Sequence, residues 1–350
     1  MDVVSDVIAT MRVGRAKFRL SRREGEWGNR FGPYPGAGFH IVLRGSCWLL
    51  PPEGAATLLS AGDVVFLPHG AVHGMSSGPD RVAALLPLDP EPEVGSSHLP
   101  GLADATAAGG TVLLCGAYRL DRGQVHPFLR ALPEVVHLPA GPDRHPALAA
   151  VVELLAADLA HGKPGADAAL PALLDLLLVH VLRAWLEEES ARGPSAGWCA
   201  ALADPAVAAA LNHLHRRPAH PWTVHELARE VGMSRTALAR RFTQLVGRAP
   251  MAYLTWWRLS SAARILRDTQ APLSAVAAQV GYTSEFAFAN AFKRQHGLAP
   301  GRFRRTARGP GHAVRREAFV GRERVGEGTL EDAAPRHPRP GRRLDPHGRP

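Results

Sequence analysis

Four side chains able to bind a metal or a ligand, or to react with an oxidant, sit in short apolar runs of the N-terminal third. They are His40 in FHIVLRGSCWLL, His69 and His73 in GDVVFLPHGAVHGM, and Cys115 in TVLLCGAYRL. Neutral imidazoles bind transition metals and form hydrogen bonds at either ring nitrogen. A zinc ion takes about four N, S or O donors, and only His40 and His73 make a credible pair, so a divalent metal there would rest on two ligands. Cys115 on an apolar strand is an inert core thiol unless it is accessible and acidic. Arg119 or His73 would have to lower its pKa, and Cys47 would then act as resolving partner.

The elements that must carry these residues are strands. Residues 15–90 hold short apolar runs punctuated by PYPGAG, PPEG and SSGPD, a β-rich pattern, with a further strand at 111–120. The period then changes to helical at 145–162 and 169–189, apolar on more than one face, so these helices must be buried. The stretch 169–186 fits either a dimer seam or a cover for the chain's own strands. Residues 191–198 read as a linker, and a further helix breaks at Pro218. A hydrophobic content of 46% excludes a wholly disordered chain, and no apolar run reaches the roughly 20 residues of a membrane span. Three widely spaced cysteines without CxxC and an N-terminus lacking the order of a secretory signal lead us to expect a cytoplasmic protein.

Gly62, Pro68, Gly70 and His73 fit the second motif of the cupin β-barrels, G-x5-P-x-G-x2-H, which the segment around them resembles. In metal-dependent cupins that last His is a ligand, so the resemblance raises a metal at His73. The first motif argues the other way. Counting back from Gly45 puts Gly38 where the family has a ligand Glu, and Gly-Pro-Tyr-Pro at 32–35 where it has His-x-His. Strand side chains alternate, so His40 shares the interior face of residue 38. Residues 10–140 also resemble the cupin-type sensor of some transcription regulators. That resemblance implies a small effector touching His40, His69, His73 and Cys115, no cofactor and no catalysis, and dimerisation through the following helices. A cupin metalloenzyme of dioxygenase or isomerase type, and a thiol-based oxidant sensor, are the alternatives; a purely architectural DNA-binding protein is a third.

The C-terminal region repeats itself. Val231-Gly232 recurs 49 residues on as Val280-Gly281, and Phe242, Gly247 and Pro250 recur 50 residues on as Phe292, Gly297 and Pro300. Each copy predicts a short helix, 223–230 or 273–279, a glycine turn, and a capped second helix. Ser234 caps the first copy; Thr283 or Ser284 caps the second. MAYLTWWRLSSAARILRD at 251–268 is an amphipathic helix setting their separation. Charge is segregated along the chain. Residues 1–218 carry 18 Lys/Arg against 22 Asp/Glu, residues 219–306 carry 13 against 4, and residues 307–350 carry 10 against 6. A basic C-terminal third suits a polyanion, because Lys and Arg on phosphates release condensed counterions.

GMSRTALARRF and GYTSEFAFANAFKRQHGLAPGRFR make residues 219–306 closely similar to the double helix-turn-helix domain of AraC/XylS-family transcription regulators. The resemblance implies an α+β chain: a cupin-like barrel at 10–140, helices at 145–190, a linker at 191–205 and an all-α DNA-binding domain at 206–306. Residues 307–350 form a basic tail expected to be disordered, in which Arg342 and Arg343 would add nonspecific affinity for DNA. It implies recognition helices near 234–245 and 284–295 in major-groove segments about 34 Å apart on promoter DNA, a homodimer, and RNA polymerase as partner if the protein activates. Ser234, Arg235, Thr236, Ala239 and Arg240 face DNA from the first helix, and Thr283, Ser284, Glu285, Asn290, Lys293 and Arg294 from the second. The family often has Arg where this chain has Asn290, and Phe286, Ala287 and Ala289 offer few hydrogen bonds. The first helix should therefore carry most base reading while Lys293 and Arg294 hold phosphates. Arg240→Ala is expected to relax sequence discrimination more than Asn290→Ala, measured by binding to operator variants; the reverse order would refute the assignment.

Overall fold

The computed structural model describes residues 3–11, 16–34, 36–80, 85–88, 110–119, 125–139, 141, 143–161, 164–193 and 197–307; the expected tail at 307–350 lies outside them save Ala307. Helix α1 (Val3–Met11) precedes strands β1 (Lys17–Arg23), β2 (Gly28–Phe31), β3 (Gly36–Arg44), β4 (Ser46–Leu50), β5 (Thr57–Ser60), β6 (Val64–Leu67), β7 (His73–Ser76), β8 (Leu86–Leu88) and β9 (Thr111–Arg119). After α2 (Pro127–Arg130) and β10 (Val136–Leu138) the chain is helical: α3 (Pro146–His161), α4 (Ala166–Ala191), α5 (Gly197–Ala203) and α6 (Pro205–Arg216). Then come α7 (Val224–Glu230), α8 (Arg235–Val246), α9 (Pro250–Asp268), α10 (Leu273–Gln279), α11 (Glu285–His296) and α12 (Pro300–Ala307).

The barrel wall consists of two five-stranded sheets, ordered β1-β9-β3-β6-β10 and β5-β4-β7-β2-β8, which are separate ladders among the described residues. Residues Val42, Leu113 and Val65 of the first sheet meet Leu49, Leu59 and Met75 of the second in one apolar cluster. On the opposite face of the first sheet, Ala37, Phe39 and Ile41 of β3, with Val64 and Phe66 of β6, join the helical core. Burial on both faces is why β3 and β6 read as continuous apolar runs rather than alternating ones.

Helix α4 is long and apolar enough to cross a bilayer by length and composition. Its Leu170, Leu174, Leu177, Val181 and Trp185 are buried in the helical core, and the Tyr118 hydroxyl of β9 donates to the Leu174 carbonyl at 2.5 Å. Most of the 169–186 stripe therefore covers the chain's own sheet. Leu176, 41% exposed, and Leu154 of α3, 54% exposed, are left facing solvent. Residues 191–205, read as a linker, contain α5, whose Trp198, Cys199 and Ala201 are buried in the same core.

That core runs without a break from Val3 to Trp257, and a chain of buried hydrogen bonds crosses it. The Phe128 amide donates to His126 Nδ1 at 3.0 Å, so in the neutral ring Nε2 carries the proton. His126 Nε2 donates to the Tyr253 hydroxyl at 3.0 Å, which donates to His215 Nε2 at 2.7 Å. His215 Nδ1 then donates to the Asp6 carboxyl at 3.2 Å. Burial lowers the pKa of both histidines and raises that of Tyr253, keeping all three neutral as this direction of donation requires. The Trp257 ring stacks on His215 at 3.8 Å between centroids. Tyr253→Phe would strand a donor and an acceptor where no water reaches. We expect it to cost about 2–4 kcal/mol, at about 1–3 kcal/mol for each stranded group, read from the midpoint of guanidinium unfolding. A loss under about 0.5 kcal/mol, well below the cost of even one buried unsatisfied group, would mean the relay carries no stability.

Candidate functional site

Each copy of the repeat folds as its turn chemistry dictates. Ser234 Oγ caps α8 by accepting from the Ala237 amide at 3.2 Å, and Ser284 Oγ caps α11 by accepting from Ala287 at 3.3 Å. Of the two candidate caps in the second copy, the hydroxyl used is that of Ser284. In the turn before α11, Gly281 has φ +84° and a Cβ there would lie 2.8 Å from Ala219 Cα, so glycine is required twice over. Arg258 of α9 holds the facing segment by donating to the carbonyls of Pro218 at 2.6 Å and His220 at 2.8 Å. The N-terminal half of α9 packs with α8 through Tyr253, Leu254 and Trp257; its C-terminal half packs with α10 and α11 through Leu259, Ala262 and Leu266.

Leu238 and Phe242 of α8, and Phe288 and Phe292 of α11, are buried on the inner faces. Arg235, Thr236 and Arg240 are exposed on α8, with Ala239 half-buried beside them. Thr283, Ser284, Glu285, Asn290, Lys293 and Arg294 are exposed at and along α11. Arg241 serves the fold instead, pairing with Asp204, the N-cap of α6, and so tying α8 to that helix. Phe286 is exposed too, on the outer face where the sequence puts it beside side chains that offer few hydrogen bonds.

In the barrel, neighbouring strands bring His40 and Cys115 side by side in the β3/β9 register. His40, His73 and Cys115 line an apolar cavity of about 50 Å³ together with Arg19, Phe31 and Leu67. Gly70, with φ +61°, brings its backbone so close to the Tyr34 carbonyl that a Cβ would lie 2.2 Å from it. His69 is not in the pocket: it turns away and donates from Nε2 to the Leu132 carbonyl at 2.9 Å. His73 Nδ1 donates to the Ala71 carbonyl at 2.8 Å, which leaves its Nε2 a bare acceptor. His40 Nε2 therefore donates to it, at 2.7 Å, and His40 Nδ1 is left as a buried lone pair without a partner among the described residues.

This arrangement does not fit a tetrahedral zinc ion. Two nitrogens sharing such an ion at about 2.0–2.1 Å each stand about 3.3 Å apart, wider than the 2.7 Å between these two, and no cluster of three ligating side chains occurs among the described residues. Cys115 is half-buried at the pocket. Burial, with Cys47, pushes its thiol up to about 12, outweighing Arg23 and Arg19, the cations that bear on it in place of the expected Arg119 and His73, which argues against a reactive thiolate. Cys47, the expected resolving partner, is likewise raised to about 12 by burial and by Asp63.

Burial lowers His73 to about 4 and holds His40 well below its ordinary value, with His73 adding to the effect on His40. Histidines of the unfolded chain protonate near 6.5, so unfolding takes up protons between there and about 4. The stability this pair contributes is thus complete above about pH 7 and is lost as pH falls through 6.5, with His73 alone accounting for about 3 kcal/mol by pH 4. Thermal midpoints are expected to drop below pH 6.5, and His73→Phe to flatten part of that slope; a wild-type curve flat down to pH 4.5 would contradict the buried neutral pair.

Residues 2–187 match the cupin family and residues 227–306 a helix-turn-helix domain family. An AraC-like transcription regulator of Streptomyces antibioticus is 35% identical over 312 residues, 87% of this chain and 99% of its own. The regulator AlkR of Acinetobacter baylyi is 27% identical over 314 residues, again 87% and 99% of the two chains. A solved AraC-type DNA-binding regulator from Chromobacterium violaceum is 25% identical with a TM-score of 0.29, covering 31% of this chain and 96% of that one. With both family matches in one chain and a relative aligned along nearly its whole length, the protein belongs to the AraC-like transcription regulators that carry an N-terminal cupin domain.

Proposed function

We propose that the protein is a one-component regulator whose barrel binds a small effector while α8 and α11 read promoter DNA. The unpartnered His40 Nδ1 in the barrel cavity carries this reading. A buried acceptor without a donor costs about 1–3 kcal/mol, which a ligand donating a hydrogen bond would recover. The effector is accordingly small and largely apolar, with one hydroxyl or N–H for His40. The cavity holds only about 50 Å³, against about 150 Å³ for a dry cavity that takes benzene, so it grips a few atoms and the rest lies at the mouth.

The continuous core and the Tyr253 relay support transmission from the cupin domain to α8 without a flexible hinge. Exposed Leu154 and Leu176 support a homodimer built on α3 and α4. Gly38 at the family's ligand position and the bonded imidazole pair support a sensor without catalysis. We place the protein in the cytoplasm on promoter DNA, in contact with RNA polymerase where it activates.

The test is a thermal-shift screen of small alcohols, phenols and amides on the full chain, followed by operator binding with each stabilising compound. A ligand that binds the folded state raises its midpoint by mass action. His73→Phe is expected to abolish the shift and the change in operator affinity while leaving effector-free DNA binding within about twofold, well under 1 kcal/mol. A variant that loses DNA binding outright, or keeps the effector response, would refute the pocket.

A further inference from the structure

Phe286 is 77% exposed, more than any other large apolar side chain described as exposed. Nothing in the fold asks for it: the inner face of α11 is already filled by Phe288, Ala291 and Phe292, all buried. An isolated exposed apolar residue is ordinary on most surfaces, but this one occupies the first turn of a recognition helix. It shares a stripe with Asn290 and Arg294 at i, i+4 and i+8, with Lys293 alongside, all exposed. In a helix-turn-helix the N-terminal residues of the second helix meet base edges, and here the cations lie toward the other end, where phosphates run.

An aromatic side chain has no hydrogen bond to offer a base, and the one apolar feature of the major-groove edge is the C5-methyl of thymine. We propose that Phe286 reads a thymine by packing on that methyl, so that α11 selects sequence by apolar contact rather than by hydrogen bonds. The basic surroundings favour DNA over a protein partner as the occupant, since residues 219–306 carry 13 Lys/Arg against 4 Asp/Glu. The inference rests on α11 entering the groove and adds which base feature it reads there.

Selection of binding sites from random duplex DNA by the full chain is the first step, with wild type, Phe286→Ala and Phe286→Leu compared. Wild type should show a thymine preference in the segment assigned to α11, lost in Phe286→Ala and kept at least in part by Phe286→Leu. Replacing that thymine by deoxyuridine removes only the methyl. It should weaken wild-type binding about fourfold, the worth of one buried methyl group, and leave Phe286→Ala unaffected. Because the residue is solvent-exposed, Phe286→Ala should keep the wild-type thermal midpoint. If Phe286→Ala selects the same site as wild type, or uracil is tolerated throughout, the proposal fails while groove entry by α11 stands. If no sequence preference appears in that segment even for wild type, groove reading by α11 fails as well. Unchanged DNA selection with lost stimulation of RNA polymerase would assign Phe286 to a protein contact and overturn the proposal.

Discussion

The Tyr253 hydroxyl accepts one buried hydrogen bond and donates another, and three distant parts of the chain meet at it. His126 comes from the segment after the sheets, His215 from α6, and Asp6, one step further, from α1. The Phe128 amide fixes the tautomer at one end and the Asp6 carboxyl at the other, so every proton in the series has one place to be. Such a chain has no half-satisfied state: shifting α9 against α6 by a bond length exposes unpaired polar groups in an apolar surround. The packing of Trp198, Trp256 and Trp257 around His126 keeps water from filling the gap.

The cupin domain and the first helix-turn-helix are thereby parts of one core rather than beads on a string. Secondary ties follow the same logic. Arg241 clamps α8 to the N-cap of α6, and Arg258 clamps α9 to the turn ahead of α7 through two carbonyls. Arg235, Arg240, Lys293 and Arg294, by contrast, are exposed on the outer faces of α8 and α11. Net positive charge in this region thus divides into a structural share and a share facing outward.

The local signals were legible and the long-range ones were not. Serine before a helix, glycine in the turn and phenylalanine four residues apart specify the two motifs, because caps, positive φ and 3.6-residue periodicity act within a few residues. The cupin motif likewise located His73 and, through strand alternation, the facing His40. His69 escaped because its direction depends on Leu132, 63 residues away. Helix α5 was hidden in a short apolar stretch flanked by Gly and Pro, where burial of Trp198 decides the conformation. The thiol of Cys115 could not be judged from neighbouring charges, since burial outweighs them. No pattern in the sequence announces the Tyr253 relay, whose hydrogen-bonded side-chain pairs lie 38 to 209 residues apart.

Helix α9 belongs to two cores at once, which makes it a ruler. Its 19 residues span about 28 Å at 1.5 Å per residue, and neither end can slide without emptying the core it fills. With α8 and α11 reading DNA as proposed, two readers on one stiff strut act as a bivalent ligand, each raising the local concentration of the other. That gain exists only for DNA whose two segments lie at the matching spacing and on the same face of the duplex. Spacing between segments is then a third element of recognition, encoded by neither reading helix and written entirely in the apolar side of the helix that joins them.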